Sequence, residues 1–354
     1  WMLPFAALGL PAFLALFGGL AGVAISFARG PLATPISVTA AFGAADWLRG
    51  HILTGLPWNL FGHAWSGIDP LLQSASLYGV YGMGIVVLLT ATLPGGLVSP
   101  VRWQRLVAIL IPIVILGTHW AAGAYRLSGV KADADSGLGI RLVQANIPQR
   151  EKWALRYRAR NIAAHLRLSV ENRPPWIQHV IWPEMAATLY LERDAKSREV
   201  LSRVVPPGGL LVTGAPRRNP EGGAYNAILA LDETGRISGH YNKAHLVPFG
   251  EYLPMPYIFQ YLEGLTAESG QFAHGQSHRI IALPYQDISV GPFICYESIF
   301  PEITRELTLL GADILVNTTN DAWFGQTAAP YQHFAMSIIR AVETGRTVVR
   351  AANT

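Results

Sequence analysis

The sequence predicts an α/β sandwich with buried sheets, carried behind a bundle of transmembrane helices. Three observations predict it. Residues 1–125 are almost wholly apolar, and their only charges are Arg29, Asp46, Arg49, Asp69, Arg102 and Arg105. From Lys131 onward charged residues return at the density of a water-facing domain, so the mean hydropathy of +0.27 averages two unlike parts. Within the second part, short and nearly continuous apolar runs alternate with longer amphipathic stretches. That is the pattern of strands buried in layers and of helices that cover them.

The 354 residues are enough for two domains, and the change in composition divides them into a helical region, 1–125, and a soluble domain, 131–354. A spanning helix needs about 20 apolar residues. Residues 2–28, 71–98 and 106–124 supply three such runs, and the shorter 33–48, which contains Asp46, is a weaker fourth. Arg29 follows the first span and Arg102 and Arg105 separate the last two, while residues 51–70 contain no Lys or Arg. The excess of basic residues in cytoplasmic loops then puts both basic loops in the cytoplasm and, with four spans, the soluble domain outside it. The Asp46-Trp47-Leu48-Arg49 segment with Gly55-Leu56-Pro57-Trp58 reads equally as an interfacial turn or as a loop dipping into the outer leaflet. Both ends of the chain read as cut, because Trp1 opens inside an apolar run and Thr354 follows a strand. A cleaved signal peptide would be shorter and would carry a charged flank.

In the soluble part the expected strands are 139–144, 179–182, 210–214, a hairpin of 227–231 and 237–241 around Asp232-Glu233-Thr234-Gly235, then 288–294, 314–317 and 347–351. Helices are expected at 156–171, 195–204, 301–310 and 331–343. Ile162, Leu166 and Val170 share one face of the first of these helices. No internal repeat or low-complexity tract appears.

Composition also excludes. The net charge of +4 is scattered and forms no basic run, which speaks against nucleic-acid binding. One cysteine, Cys295, permits no intrachain disulfide and leaves the compartment open. No His, Cys and Asp group has ligand spacing, so no metal is expected.

Three apolar runs lead directly into a reactive side chain. They are Val180-Ile181-Trp182-Pro183-Glu184, then His240-Tyr241-Asn242-Lys243 with Phe249-Gly250-Glu251-Tyr252 beyond it, and Phe293-Ile294-Cys295-Tyr296-Glu297. Side chains at strand ends sit on a rigid scaffold and face a crevice. Cys295 falls between a strand and a helix, where a helix N-terminus and a cation would lower the thiol's pKa. A buried structural cysteine remains open as a reading, as does a Cys–His pair drawing on His245, His274, His278 or His333.

The Trp-Pro-Glu, Asn-Lys-x-His-Leu-Val-Pro-Phe-Gly-Glu and Cys-Tyr-Glu segments resemble the nitrilase superfamily. With the upstream spans, they resemble its membrane-embedded branch, the apolipoprotein N-acyltransferase family. Gln144-Ala145-Asn146-Ile147-Pro148-Gln149 and Asn317-Thr318-Thr319-Asn320-Asp321-Ala322-Trp323-Phe324-Gly325 match the same family, so the resemblance spans essentially the whole chain. It implies a nitrilase-like α-β-β-α sandwich, with a few further spans before and one after the present ends.

It also implies roles. Glu184 is the general base, Lys243 the cation that steadies thiolate and oxyanion, and Cys295 the nucleophile that becomes a thioester. Glu251 orients the lysine. Tyr296 and Glu297 offer backbone N–H groups to the oxyanion, and Glu297 is a second candidate to hold Lys243. Trp153 matches a family position that holds lipid, beside the reading of a core or interface Trp. From the residues themselves, Phe249 and Tyr252 are candidate substrate contacts, and the apolar insertion 252–262 reads as a lipid-touching lid or as a covered surface loop. The implied donor is a phospholipid and the acceptor a diacylglyceryl apolipoprotein, at the outer face of a bacterial inner membrane, with no cofactor. The competing readings are a membrane-tethered nitrilase-type amidohydrolase and a non-catalytic transporter or scaffold.

Overall fold

The computed structural model describes residues 5–129, 137–254, 272–283 and 288–354. The chain forms two compact units, Trp1–Asp133 and Ala134–Thr354.

In the N-terminal unit a π-helical turn leads into α1 (Leu10–Ser26), followed by α2 (Ala33–His51), the short α3 (Asp69–Leu72), α4 (Ala75–Thr92) and α5 (Arg102–Ser128). Three segments, Ala7–Ser26, Ala75–Val98 and Arg102–Ser128, are long and apolar enough to cross a membrane. The weaker candidate, α2, is a helix of 19 residues outside that set. Leu16, Leu20 and Val23 of α1 and Leu110, Ile113 and Val114 of α5 are exposed, which suits a hydrocarbon solvent and not water. The charged pair on α2 closes the turn that follows it. Arg49 donates to Asp46 Oδ1 (3.0 Å) and to the carbonyls of Leu56 (2.9 Å) and Trp58 (2.7 Å). Asp46 Oδ2 accepts the N–H of Phe61 (2.8 Å).

The C-terminal unit is an α-β-β-α sandwich. Its first sheet has the order β1 (Ile140–Leu142), β2 (His179–Ile181), β3 (Leu210–Arg218), β4 (Ala224–Leu231), β5 (Ile237–Asn242). The first three strands run parallel, and β4 runs against both β3 and β5. The second sheet has the order β6 (Ile281–Leu283), β7 (Ile288–Ile294), β8 (Ile314–Asn320), β9 (Thr347–Asn353). Here β6 is antiparallel to β7, and β7, β8 and β9 are parallel.

The two sheets bury Val212, Ile228 and Tyr241 against Val290, Ile294 and Val316. The outer face of the first sheet is covered by α7 (Leu155–Val170) and α8 (Ala195–Ser202) through Ile162, Leu166 and Leu201. The second sheet is covered by α9 (Pro301–Leu309) and α10 (Ala329–Thr344). A continuous apolar strand such as 210–215, buried along its length, requires this cover on both faces.

Two elements differ from the sequence reading because they are too short to show a period. These are β6 and the single turn α6 (Gln149–Lys152). Strands β3 and β8 also run past their expected ends, to Arg218 and Asn320.

Candidate active site

Because β2 and β5 point the same way and β4 points against them, the ends of β2 and β5 and the start of β4 share one edge of the first sheet. Glu184 lies just beyond β2, Lys243 just beyond β5, and Asn226 near the start of β4. Cys295 follows directly on β7 of the second sheet.

The backbone at these ends is specialised. Met185, after the glutamate, has φ +49°, and Cys295 has φ +48°. That left-handed region is unfavourable for residues with a Cβ and persists only where the surroundings enforce it. At Cys295 the enforcement comes from Glu297, whose Oε2 accepts the N–H of Ile294 (2.6 Å). At Glu184 it comes from Gly214 on β3, which donates to Pro183 O (3.2 Å) and accepts from Ala187 N (3.1 Å). A Cβ on Gly214 would lie 2.4 Å from Met185 N and 2.6 Å from Glu184 Cα, so only glycine lets the glutamate's main chain pass this close.

Lys243 is fully buried. Its Nζ donates to Glu251 Oε1 (2.9 Å), lies 2.9 Å from Oε2 of the same carboxylate, and stands 3.6 Å from Glu184 Oε1. Burial alone would drive its pKa down, but Glu251 and then Glu184 outweigh that and hold the ammonium well above the usual lysine range. Asn226 ties the two acids together, donating from Nδ2 to Glu184 Oε1 (2.7 Å) and to Glu251 Oε1 (2.8 Å). Glu251 Oε2 also accepts the N–H of Val247 (2.8 Å).

The thiol departs from the sequence reading. A lowered pKa was expected; the structure raises it to about 12, because full burial and then the Glu184 carboxylate outweigh the pull of Lys243. The resting group is therefore a thiol, and attack on an ester carbonyl calls for a base that removes its proton as the bond forms. Glu297 differs as well. Its Oε1 accepts from Tyr241 Oη (2.7 Å), Ala244 N (2.8 Å) and His245 N (3.0 Å), so it grips the main chain after Lys243 and not the ammonium. Tyr296 and Glu297 belong to the 3-10 turn Cys295–Ile299 that the cysteine opens, which supplies backbone N–H groups beside the sulfur. The Tyr296 ring packs edge-on to Phe300, with centroids 5.2 Å apart.

Of the side chains read as lipid contacts, Trp153 and Tyr252 join one apolar cluster around Met185, Leu246 and Phe272. Phe249 is 38% exposed, with φ +60°. Of the expected lid, residues 252–254 are described, and 255–262 lie outside the described residues.

Two sets of residues escaped the sequence reading. Asn226 and Lys152 are one; each is a polar residue that is buried, and a buried polar group is the informative kind. The other is the network beneath Cys295. His333 Nδ1 lies 2.8 Å from Asp321 Oδ1, and its Nε2 lies 2.6 Å from Ser298 Oγ and 3.0 Å from Cys295 O. Arg350 donates to Asp321 Oδ2 (2.6 Å). Of the four histidines considered as partners for the cysteine, His333 is the one bonded to it, through the main chain. Cys295, Asp321 and His333 present donor atoms within 4.8 Å of one another. A cation there would have to sit against the Arg350 guanidinium.

Residues 139–354 match the carbon-nitrogen hydrolase family, and residues 1–93 match the apolipoprotein N-acyltransferase N-terminal domain. Proteins named apolipoprotein N-acyltransferase resemble the whole chain. The one from Allorhizobium ampelinum is 38% identical and the chain covers 68% of its length. Those from Bradyrhizobium diazoefficiens and Agrobacterium fabrum are 37% and 36% identical, with 69% and 68% covered.

Proposed function

The chain belongs to the apolipoprotein N-acyltransferase family, and from that premise we propose a two-step acyl transfer through Cys295, from a phospholipid to the N-terminal amine of a diacylglyceryl-cysteine apolipoprotein. The observation that carries the reading is the buried Lys243 ammonium held between the Glu251 and Glu184 carboxylates at the sheet edge.

In the first step Glu184 takes the thiol proton as Sγ attacks the ester carbonyl. Lys243 and the N–H groups of Tyr296 and Glu297 meet the oxyanion. The C–O bond then breaks, and Glu184 returns the proton to the departing lysophospholipid. In the second step the free amine attacks the thioester and gives a proton to Glu184. The C–S bond breaks, and the sulfur recovers that proton as the amide leaves. Glu251 keeps Lys243 charged and aimed, and Asn226 bridges the two acids. Proton, charge and leaving group are all handled by these side chains, so the reading needs no cofactor.

Trp153, Tyr252 and Phe249 contact the acyl chains. With α2 counted as a fourth span, the Arg29 loop and the Arg102 and Arg105 loop both read as cytoplasmic, and the catalytic unit is proposed to lie on the periplasmic side of the bacterial inner membrane. An amidohydrolase would use the same residues with water in place of the amine. The three helices suited to a bilayer favour substrates that are themselves lipid-bound.

Mass spectrometry of the detergent-solubilised chain with a defined phospholipid tests the reading. One acyl group should appear on Cys295 and be discharged by an apolipoprotein amine. Lipid hydrolysis without that adduct overturns it.

A further inference from the structure

Lys152 has no part in the steps above, yet it is buried beside them. It is 5% exposed, and its Nζ donates to the main-chain oxygen of Glu184 (2.7 Å). The turn α6 that carries it is pinned to the other sheet. Gln149 accepts from Asn320 Nδ2 (2.8 Å), and Ile147 exchanges two hydrogen bonds with Asn353 (2.6 and 2.8 Å). Lys152 lines a small cavity with Asn161, His165 and Glu184. Among the described residues Glu184 Oε2, Asn161 Oδ1 and His165 Nε2 find no hydrogen-bond partner.

The charge count gives this placement its meaning. Glu184 and Glu251 bring two carboxylates to the site, and Lys243 brings one ammonium in contact with both. Ionising Cys295 in that set concentrates negative charge in a buried space, which is unfavourable unless a further cation stands near.

We propose that Lys152 is a positioning residue and the second cation of the site, holding the Glu184 main chain through its hydrogen bond and offsetting the negative charge that builds up when Cys295 loses its proton. The role rests on the acyl-transfer reading for its purpose, but thiol ionisation can be followed without any acyl donor. Glu184 at the end of β2 and His165 on α7 line the same cavity as Lys152, and Glu184 and Cys295, at the end of β7, are the negative groups that act on its charge. Burial brings Lys152 itself down to about 8, against the opposing pull of Glu184 and Cys295. Burial, with Lys152 adding to it, leaves His165 neutral, near 4.

The test is the rate at which iodoacetamide labels Cys295, the single cysteine, in the full chain in detergent between pH 6.5 and 9.5. Lys152→Gln keeps a donor for the Glu184 carbonyl and removes the charge. It should label at least about tenfold more slowly at pH 7, since a unit charge within about 12 Å in an effective dielectric near 20 shifts a pKa by about one pH unit or more. That gap should close as the pH rises through about 8, where wild-type Lys152 gives up its own proton. Lys152→Arg stays charged throughout, so it should match the wild type at pH 7 and outpace it at pH 9.5.

Equal rates for Lys152→Gln and wild type at pH 7, or a gap that stays constant with pH, would overturn the proposal. If Lys152→Gln does not fold, Lys152→Arg decides alone, since a profile that bends like the wild type near pH 8 sinks the idea. Acyl transfer by the wild type stands or falls in its own assay, so the two failures are distinguishable.

Discussion

Replacing Glu184 by Gln should make Cys295 more reactive toward a small electrophile while abolishing turnover. The substitution keeps the shape of the side chain and an oxygen to accept from Asn226 Nδ2, now at 2.7 Å. What it removes is one negative charge, the second-largest contribution after burial in pushing the thiol up to about 12. At pH 8 a thiol of that pKa is ionised in about one molecule in ten thousand. Losing one adjacent charge lowers the pKa by about one to two pH units at an effective dielectric near 20, so iodoacetamide labelling at pH 8 should rise about 10- to 100-fold. Acyl transfer should fall by about 10²- to 10⁴-fold, the range for a lost general base. Both rates can be read on the same detergent-solubilised protein, by intact mass and by release of lysophospholipid. Slower or unchanged labelling in Glu184→Gln would refute the assignment of that carboxylate as the group holding the thiol proton in place.

Other outcomes follow from the same geometry. Lys243→Met strands two buried carboxylates without a cation and should lower unfolding stability by about 3–5 kcal/mol. Urea unfolding at pH 7 would show it, and an unchanged midpoint would count against the charge argument. Gly214→Ala drives a Cβ to 2.4 Å from Met185 N and should lower stability by about 1–3 kcal/mol, as overpacking does. It should also stop acyl transfer by displacing Glu184, while Cys295 still labels; normal turnover would refute the contact. Burial raises the pKa of Asp321, but His333 and Arg350 outweigh it and hold the acid below its ordinary value. Its contribution is therefore complete above about pH 4 and is lost as the pH falls through the depressed value. Asp321→Asn should be less stable than wild type at pH 7 and should converge with it at low pH. A gap that does not narrow as the pH falls below about 4 would mean the network is not ionic.

Much of this protein was written locally. Apolar runs of bilayer length mark α1, α4 and α5, and period and turn chemistry mark the strands that end at Glu184, Lys243 and Cys295, because both signals depend only on neighbouring residues. The residues proposed to react stand out in the sequence for the same reason: each directly follows its own strand or a step beyond. Tertiary structure decided what those residues meet. Asn226 and Lys152 reach Glu184 from 42 and 32 positions away, and no local pattern encodes a contact between strands of one sheet or across two. It also reversed the sign of the thiol's pKa shift. A helix start and a cation are legible in sequence, but burial and the nearness of Glu184 exist only once the two sheets have closed on each other.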